Sequence, residues 1–221
     1  MRLPIFAILS CGFLLAASEH EERLSDAAAV LQEIMETPDQ AIPQELLDRA
    51  HCAVIVPGLK RAAFIVGARY GKGYVSCRKK SRVGWTAPGT VRIEGGSFGL
   101  QIGGSETDVI LLIMNKRGMD RLFSSQFTLG AGASVAAGPV GRSTKVATDA
   151  LLTAEILSWS RSRGVFAGVS LQGATLRQDV SDNRELYGRT LENREIIQKE
   201  LPAPKDGDKL ISLLNKYSGR H

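Results

Sequence analysis

The chain has 221 residues, of which 43% are hydrophobic and 23% are charged, and its formal net charge is +5. This length allows one sizeable hydrophobic core, and this composition excludes both a disordered chain and a bundle of membrane helices. The 23 glycines favour a compact, β-rich fold with tight turns and closely packed backbone.

The first residues, MRLPIFAILSCGFLLAAS, are typical of a secretory signal peptide. One positive charge precedes an apolar run that is too short for a comfortable transmembrane helix, and small residues follow it at Ala16 to Ser18. We therefore predict a signal peptide at residues 1–18 and an exported protein, periplasmic or secreted. The alternative is a lipoprotein acylated at Cys11. It ranks second, because the apolar run continues past Cys11 and leaves a very short signal before it.

Two helices are predicted after the signal peptide. Apolar residues between Leu24 and Met35 recur at helical spacing, and the pattern ends before Thr37-Pro38. The polar face of this helix is acidic, so anionic lipid would repel it, and we predict that the helix packs on the core. A short second helix is predicted to start at Pro43, because proline followed by an acid suits a first turn.

From Ala53 to Leu176 the hydrophobic period becomes that of strands. AVIVP and AAFIVGARY are predicted strands, with Gly71-Lys72-Gly73 as a tight connection into YVSCRKK. DVILLIM is apolar throughout, which is typical of a buried central strand. A short helix is predicted from Lys116 to Phe123, and GVFAGVSLQGATL is predicted as a glycine-broken strand or a pair of strands.

A last helix is predicted around Leu210 to Tyr217, after a proline-containing linker at Pro202 to Pro204. These elements predict an α+β fold, in which helices at both ends flank a mainly antiparallel, strongly curved sheet or barrel-like body. The predicted domain boundaries follow from this order: the body and its N-terminal helices occupy residues 19–201, and the linker and last helix occupy residues 202–221.

No pattern in the sequence predicts catalysis or metal binding. The run Gly95-Gly96-Ser97-Phe98-Gly99 matches a nucleophile elbow, but that elbow needs a following helix and a later histidine. Here LQIGG continues as strand, and the only later histidine is His221, so we interpret the run as a glycine-rich bulge. We also interpret Glu106 and Asp108 as a solvated strand edge. His51 is a predicted helix-end residue.

The histidines are isolated, and no C-x-x-C, H-E-x-x-H or phosphate-loop spacing occurs. We therefore predict no catalytic residue, no metal and no cofactor. Cys52 and Cys77 remain after the signal peptide. An even pair in an exported protein is compatible with a disulfide. Two separate buried thiols are the alternative, and both interpretations stay open at this level.

Charge is distributed unevenly along the chain. Residues 19–50 hold nine acids against Arg23 and Arg49, whereas residues 52–93 hold nine Lys or Arg and no acid. Soluble surfaces usually intersperse the two signs, so the second stretch indicates an anionic partner. An exported protein seldom meets nucleic acid, which leaves anionic lipid headgroups, with each nearby cation contributing about 1 kcal/mol. The candidate lipid-binding residues are Lys60, Arg61, Arg69, Lys72, Arg78, Lys79, Lys80 and Arg82.

Longer runs of the sequence resemble a known family. APGTVRIEGGSFGLQIGGSETDVILLIMNKRGMDRLFSSQFTLGAGASVAAGPVGR resembles the body of the SYLF lipid-binding domain. AVIVPGLKRAAFIVGARYGKGYVSCR resembles its opening strands, and EILSWSRSRGVFAGVSLQGATLRQD with NRELYG resembles its closing signature. The likeness covers the range from Leu24 to Leu201.

The resemblance implies several properties. Eukaryotic SYLF proteins bind phosphoinositides and link membranes to actin, whereas bacterial members are typically exported and described as lipid-binding, and none is established as an enzyme. The eukaryotic lipid contact is associated with a basic N-terminal helix. The corresponding helix here is acidic, so we place the contact on Lys60, Arg61 and the cluster from Arg78 to Arg82 instead.

The sequence thus predicts an exported, non-enzymatic module that recognises anionic phospholipid or phosphoinositide-like headgroups through a basic face. Tyr70, Tyr74 or Trp85 would add contact at the membrane interface. The predicted partner is an anionic membrane surface and not nucleic acid. The alternative is a cell-envelope module that binds a protein partner and has incidental lipid affinity. A hydrolase that uses Ser97 is a third and weaker hypothesis.

Overall fold

A curled sheet of nine strands forms the centre of the molecule. The computed structural model describes residues 9–63, 66–98, 103–140, 153–162, 165–168 and 171–219. The strands are β1 (Cys52–Ala63), β2 (Val66–Cys77), β3 (Gly89–Phe98), β4 (Gly103–Ile113), β5 (Gln126–Thr128), β6 (Val135–Ala137), β7 (Ile156–Ser162), β8 (Val165–Gly168) and β9 (Thr175–Gln178). The helices are α1 (Leu9–Glu36), α2 (Gln44–Arg49), α3 (Lys116–Leu122), α4 (Val180–Tyr187), α5 (Asn193–Gln198) and α6 (Asp208–Tyr217), with a 3-10 turn at Lys205–Gly207.

Eight strands follow one another in the order β5-β9-β3-β2-β1-β4-β7-β6, and β8 pairs with β7 outside this path. Every described pairing between these strands is antiparallel except that of β6 with β7. The sheet curls into a half-barrel, with helices at the N-terminal and C-terminal ends of the chain. The predicted α+β class, with a curved and mainly antiparallel sheet, is confirmed.

The prediction of a turn at Gly71-Lys72-Gly73 is wrong, because these residues lie inside β2. AAFIVGARY is likewise not one strand, since it contains the end of β1 and the start of β2. The glycines serve close packing: a Cβ on Gly73 would lie 2.1 Å from the carbonyl oxygen of Ile55 and 2.7 Å from the Cα of Val56. A β-bulge in β1 brings its backbone this near.

Each face of the sheet carries its own hydrophobic core. On one face, α1, α2 and α6 pack on residues such as Ile55, Tyr74 and Ile110. On the other face, residues such as Val54, Val75 and Val109 pack against side chains from α3, α5 and β9. Strand side chains alternate between faces, so neighbours in β1 belong to different cores. We call these the first core and the second core.

The terminal helices pack together on the first core. The buried apolar stripe of α1, which includes Leu24, Leu31 and Ile34, confirms the predicted packing of this helix. Leu210 and Leu214 of α6 join the same core. Among the described helices, none is long and apolar enough to cross a membrane.

Two further interpretations are corrected. Ser97 lies in a regular β2–β3 ladder without a register shift, so it forms neither an elbow nor a bulge. Glu106 is exposed, as predicted, but Glu106 and Asp108 lie on a central strand and not at an edge, since β4 pairs with β1 and β7. Asp108 is mostly buried, and its carboxylate accepts hydrogen bonds from the backbone N of Gly58 at 2.9 Å and the Nε of Arg161 at 2.7 Å.

The other predicted elements agree with the structure. DVILLIM belongs to the buried strand β4, and Lys116 begins α3. GVFAGVSLQGATL supplies β8 and β9, which pair with β7 and β3 rather than with each other. Leu100 and Ile102 of the predicted alternating strand lie outside the described residues.

Candidate functional site

The eight candidate lipid-binding residues do not form one surface. Lys60 and Lys72 face α1, Arg61 and Arg69 occupy the opposite face of the sheet, and the remaining four lie in and beside the β2–β3 connection.

Lys72 is committed to an internal ion pair. Its Nζ lies 2.7 Å from Oδ1 of Asp182, and the Nη1 of Arg23 lies 2.9 Å from Oδ2 of the same carboxylate. The side chain of Asp182 is only 4% exposed. Burial opposes the charge on Lys72, but the hydrogen bond and attraction from Asp182 outweigh it and raise the pKa of Lys72. This residue joins β2 to α1 and α4 instead of facing a ligand.

A cleft of about 780 Å³ separates the polar face of α1 from the sheet, and both signs of charge line it. The acids include Asp26 and Glu33 of α1 and Glu106 of β4, while Lys60 and Arg161 supply positive charge from the sheet. The acids of α1 therefore share the cleft with Lys60 of the basic stretch, and Glu33 pairs with Arg161 of β7. A mixed lining of this kind does not favour an anionic headgroup.

Lys79, Lys80 and Arg82 are exposed in the connection between β2 and β3. We call residues 79–84 the basic turn. The backbone N of Arg82 donates to the carbonyl of Lys79 at 2.9 Å, and the backbone N of Lys79 donates to the carbonyl of Gly84 at 3.2 Å. Arg82 has a φ of 64°, and Gly84 has a φ of 78°. These bonds hold the three cations in a closed turn.

Arg78, at the base of this turn, has a structural role. Its guanidinium lies over the ring of Trp85, 4.3 Å from the centroid, and its Nη2 donates to the carbonyl of Leu47 at 3.2 Å. Trp85 is 1% exposed, and its indole NH donates to the Oγ of Ser218 at 3.0 Å. The prediction that Tyr74 or Trp85 contacts the membrane interface is wrong, because both side chains are buried. Tyr70 is 46% exposed.

Beside the basic turn lies a cavity of about 390 Å³, which we call the basic pocket. Its lining combines five cations with a histidine, a glutamine and three apolar side chains. The lining residues are His51, Arg78, Lys79, Lys80, Arg82, Lys116, Met119, Phe123, Ile197 and Gln198. Among the described residues no carboxylate lines this pocket, so the charged groups of its described lining all have the same sign. A cationic rim above an apolar floor suits an anionic headgroup with adjoining hydrocarbon.

Two carboxylates border the pocket without lining it. The Nζ of Lys116 pairs with Asp120 at 2.7 Å, and the backbone N of Lys80 donates to Glu200 at 2.8 Å. His51 follows α2, which confirms its predicted place at a helix end. Burial and then the charge of Arg82 lower the pKa of His51. The imidazole is therefore neutral at pH 7, and its protonation would add positive charge to the pocket.

Four of the five cations that line the pocket are among the candidate residues predicted from the sequence, whereas Lys116, His51 and Gln198 are not. Lys116 follows the central strand β4, and Gln198 ends α5, so both are distant in sequence from the basic turn. The packing of α3 and α5 against the second core brings them to it. No local pattern in the sequence indicates this meeting.

Cys52 and Cys77 are bonded to each other. They lie directly opposite on β1 and β2, and both are fully buried. The bond closes the end of the hairpin next to Arg78, and so it supports the base of the basic turn.

Among the described residues, one group of three side chains could hold a metal ion: His20, Asp182 and Glu185. Asp182 already pairs with Arg23 and Lys72, and the Nδ1 of His20 lies 3.1 Å from the hydroxyl of Tyr74. Two cations on the central carboxylate would repel a metal ion. The group is better explained as part of the contact between α1 and the body.

Comparison with known proteins adds family information to this geometry. Residues 94–217 match the model of the family described as "Ysc84: Las17-binding protein actin regulator". The chain is 29% identical over 201 residues to "SH3 domain-containing YSC84-like protein 1" of Rattus norvegicus, covering 88% of this chain and 58% of the relative. It is 34% identical over 180 residues to "Protein YSC84" of Saccharomyces cerevisiae, covering 80% of this chain and 38% of the relative. "LAS seventeen-binding protein 3" of the same yeast shows 34% identity with 39% of its length covered.

Proposed function

Because the chain belongs to the Ysc84, or SYLF, family of binding domains, we propose that it is a non-enzymatic module that binds anionic phospholipid headgroups at the basic pocket. The observation that carries this proposal is the lining of the pocket, in which the described residues supply five cations, three apolar side chains and no carboxylate. Its volume of about 390 Å³ suits a headgroup rather than a whole lipid.

The geometry of the basic turn supports the same proposal. Lys79, Lys80 and Arg82 are exposed beside the pocket, so a membrane surface can approach all three together. The lysines act as point charges, while the guanidinium of Arg82 offers a forked donor for a phosphate. Met119, Phe123 and Ile197 below them would contact the first carbons of the lipid.

The place of the protein in the cell belongs to this proposal. We infer export through a signal peptide at residues 1–18, with the lipoprotein route through Cys11 as the less favoured alternative. The disulfide between Cys52 and Cys77 supports an oxidising compartment, because such bonds are rare in the cytosol. The proposed partner is then the anionic surface of a membrane that faces that compartment.

A second candidate function is the binding of a protein partner. The names of the family and of a yeast relative refer to binding of Las17, which favours this candidate. This chain spans 58% of the mammalian relatives and less than half of the yeast ones, so their partners need not be shared. Here the basic pocket would face an acidic segment of a cell-envelope protein, and lipid affinity would be incidental.

Vesicle co-sedimentation separates the two candidates. The protein is mixed with vesicles of phosphatidylcholine alone or with added phosphatidylglycerol, at low and high salt. Replacing Lys79, Lys80 and Arg82 with glutamine removes about 3 kcal/mol of attraction, or roughly 150-fold in affinity for the anionic vesicles. Arg78 is left unchanged because it supports Trp85.

The matched control replaces three other exposed cations, Arg184, Arg189 and Lys205, with glutamine. It changes the net charge equally but leaves the pocket lining intact. The proposal is contradicted if both triple variants lose affinity equally, or if the wild-type protein binds neutral and anionic vesicles alike. No binding to any vesicle favours the protein partner.

A further inference from the structure

Two arginines lie side by side on the sheet, away from the basic pocket. Arg61 of β1 and Arg69 of β2 are directly opposite in the antiparallel register. Cβ atoms of such pairs are about 5 Å apart, and like charges in this position destabilise a sheet. The arrangement therefore needs a compensating group.

The register places both side chains on the face of the second core. Past the β1 bulge, Arg61 alternates in step with Leu59, and Arg69 alternates in step with Val75. Lys60 takes the other face and lines the α1 cleft. The pair lies next to the second core, not on the surface that α1 covers.

The neighbours of the pair are small and uncharged. On the two strands that flank the pair, Ser105 of β4 lies opposite Arg61, and Gly95 of β3 lies opposite Arg69. Two residues further toward the connection between β1 and β2, Ala63 and Gly67 lie opposite each other. Among the described strand residues, none that shares this face with the pair at these positions is a carboxylate. The backbone of Gly173 and Ala174 covers Gly95 on the same side, since a Cβ there would lie 3.2 Å from the Cα of Ala174.

Arg69 provides independent support for a missing partner. Its Nε and Nη1 are buried and have no hydrogen-bond acceptor among the described residues. Burial, and then the charge of Arg61, lower the pKa of Arg69, although a guanidinium keeps its proton at neutral pH. Buried donors without an acceptor are rare in folded proteins, and a bound ion is one established explanation.

We propose that Arg61 and Arg69 together form a binding site for an oxyanion, either a phosphate or a carboxylate group. Two forked guanidiniums can each donate a pair of hydrogen bonds to such a group, and the anion cancels their repulsion. The bound group comes from a small soluble anion or from the head of an amphiphile.

This site goes beyond the proposed function and does not depend on it. Arg69 and Cys77 are eight positions apart on β2, which corresponds to about 26 Å along the strand. The basic turn lies beyond Cys77. An anion bound by the arginine pair therefore does not occupy the basic pocket.

The test is thermal unfolding of the full chain in sodium phosphate and in sodium chloride, at equal ionic strength and pH 7.5. We expect phosphate to raise the unfolding midpoint of the wild-type protein. Arg69→Met should abolish this rise and should unfold at a higher temperature than wild type in chloride, because it removes an uncompensated charge. Arg69→Lys keeps the charge but loses the fork, so the apparent Kd for phosphate should rise about tenfold.

Arg61→Met is the second variant, in case Arg69→Met does not fold, and it should abolish the phosphate response as well. Arg189→Met, which removes an exposed arginine elsewhere, should respond to phosphate like wild type. The proposal is overturned if wild type shows no phosphate response or if Arg69→Met keeps it. It is also overturned if only the basic-turn triple variant loses the response, which would assign the anion to the basic pocket.

Adding two carboxylates, decanoate and acetate, in the same assay identifies the source of the oxyanion. Stronger stabilisation by decanoate, below its micelle concentration, than by acetate at equal concentration indicates an amphiphile. Stabilisation by phosphate with equal, weak effects of both carboxylates indicates a soluble phosphate. Loss of each response in Arg69→Met shows that the added anion acts at the arginine pair.

Discussion

Replacing Asp182 with asparagine should destabilise the protein strongly, because this carboxylate holds two cations at the contact between α1 and the body. It lies 2.9 Å from the guanidinium of Arg23 and 2.7 Å from the ammonium of Lys72. Asparagine has nearly the same volume, so the packing is preserved and only the charge is lost.

The magnitude follows from burial. Removing one partner of a fully buried ion pair costs about 3–5 kcal/mol. Here the Lys72 side chain is 29% exposed, and Arg23 keeps a second partner in Glu19, so the lower end applies. We expect a loss of about 3 kcal/mol in the free energy of unfolding, or roughly 10 °C in the unfolding midpoint of a chain of this size.

Urea unfolding followed by circular dichroism measures this loss. The matched control is Asp120→Asn, which breaks an exposed ion pair with Lys116 in α3 and should cost less than about 0.5 kcal/mol. In the Asp182→Asn background, Lys72→Met should cost less than it does in wild type, since its partner is already gone. An Asp182→Asn variant within about 1 kcal/mol of wild type would refute the reasoning, because it would mean that water compensates both cations.

Three other predictions concern the hairpin and the pocket. The variant with alanine at Cys52 and Cys77 should lose about 3.5 kcal/mol in urea unfolding, from the closure entropy of 25 residues, and a reductant should destabilise wild type but not this variant. Gly73→Ala should lower the free energy of unfolding by about 3 kcal/mol, because its Cβ would lie 2.1 Å from a β1 carbonyl oxygen. Gly96→Ala should be nearly neutral, since the nearest atom to its Cβ would lie 3.8 Å away. Equal effects of the two substitutions on urea unfolding would contradict the close-packing argument. Binding to anionic vesicles should tighten as the pH falls from 7 to 5, because His51 is neutral above its lowered pKa and gains a charge below it. His51→Gln should flatten this pH profile in co-sedimentation. An unchanged profile in the variant would show that another group titrates.

Local patterns in the sequence were sufficient to predict an element where the spacing of its apolar residues decides the structure. The apolar stripe from Leu24 to Met35 could only be buried as a helix, and the unbroken apolar run of β4 required cover on both faces. The alternation of strand residues also indicated a curved, mainly antiparallel sheet. In each case the spacing of apolar side chains carries the information, because it repeats within a single element.

The roles of glycines and charged residues cannot be read from local patterns in the same way, because they depend on which residues lie opposite them in the folded protein. Gly71 and Gly73 have the composition of a turn, yet they lie in a strand because a bulge in β1 approaches them. Lys72 belongs to the same basic stretch as Lys79 and Lys80, yet its partner Asp182 lies 110 residues away. Nothing next to Lys72 in the chain distinguishes it from an exposed lysine.

The amino-acid sequence by itself thus determined the class of fold, the terminal helices and the excess of positive charge between Cys52 and Ile93. Only the tertiary structure decided which of those charges pairs with Asp182 of α4, which two oppose each other on the sheet, and which surround the basic pocket with Lys116 and His51. The physical reason is that an electrostatic interaction depends on distance in space. The folding of the sheet and the packing of the helices set that distance, and sequence separation does not.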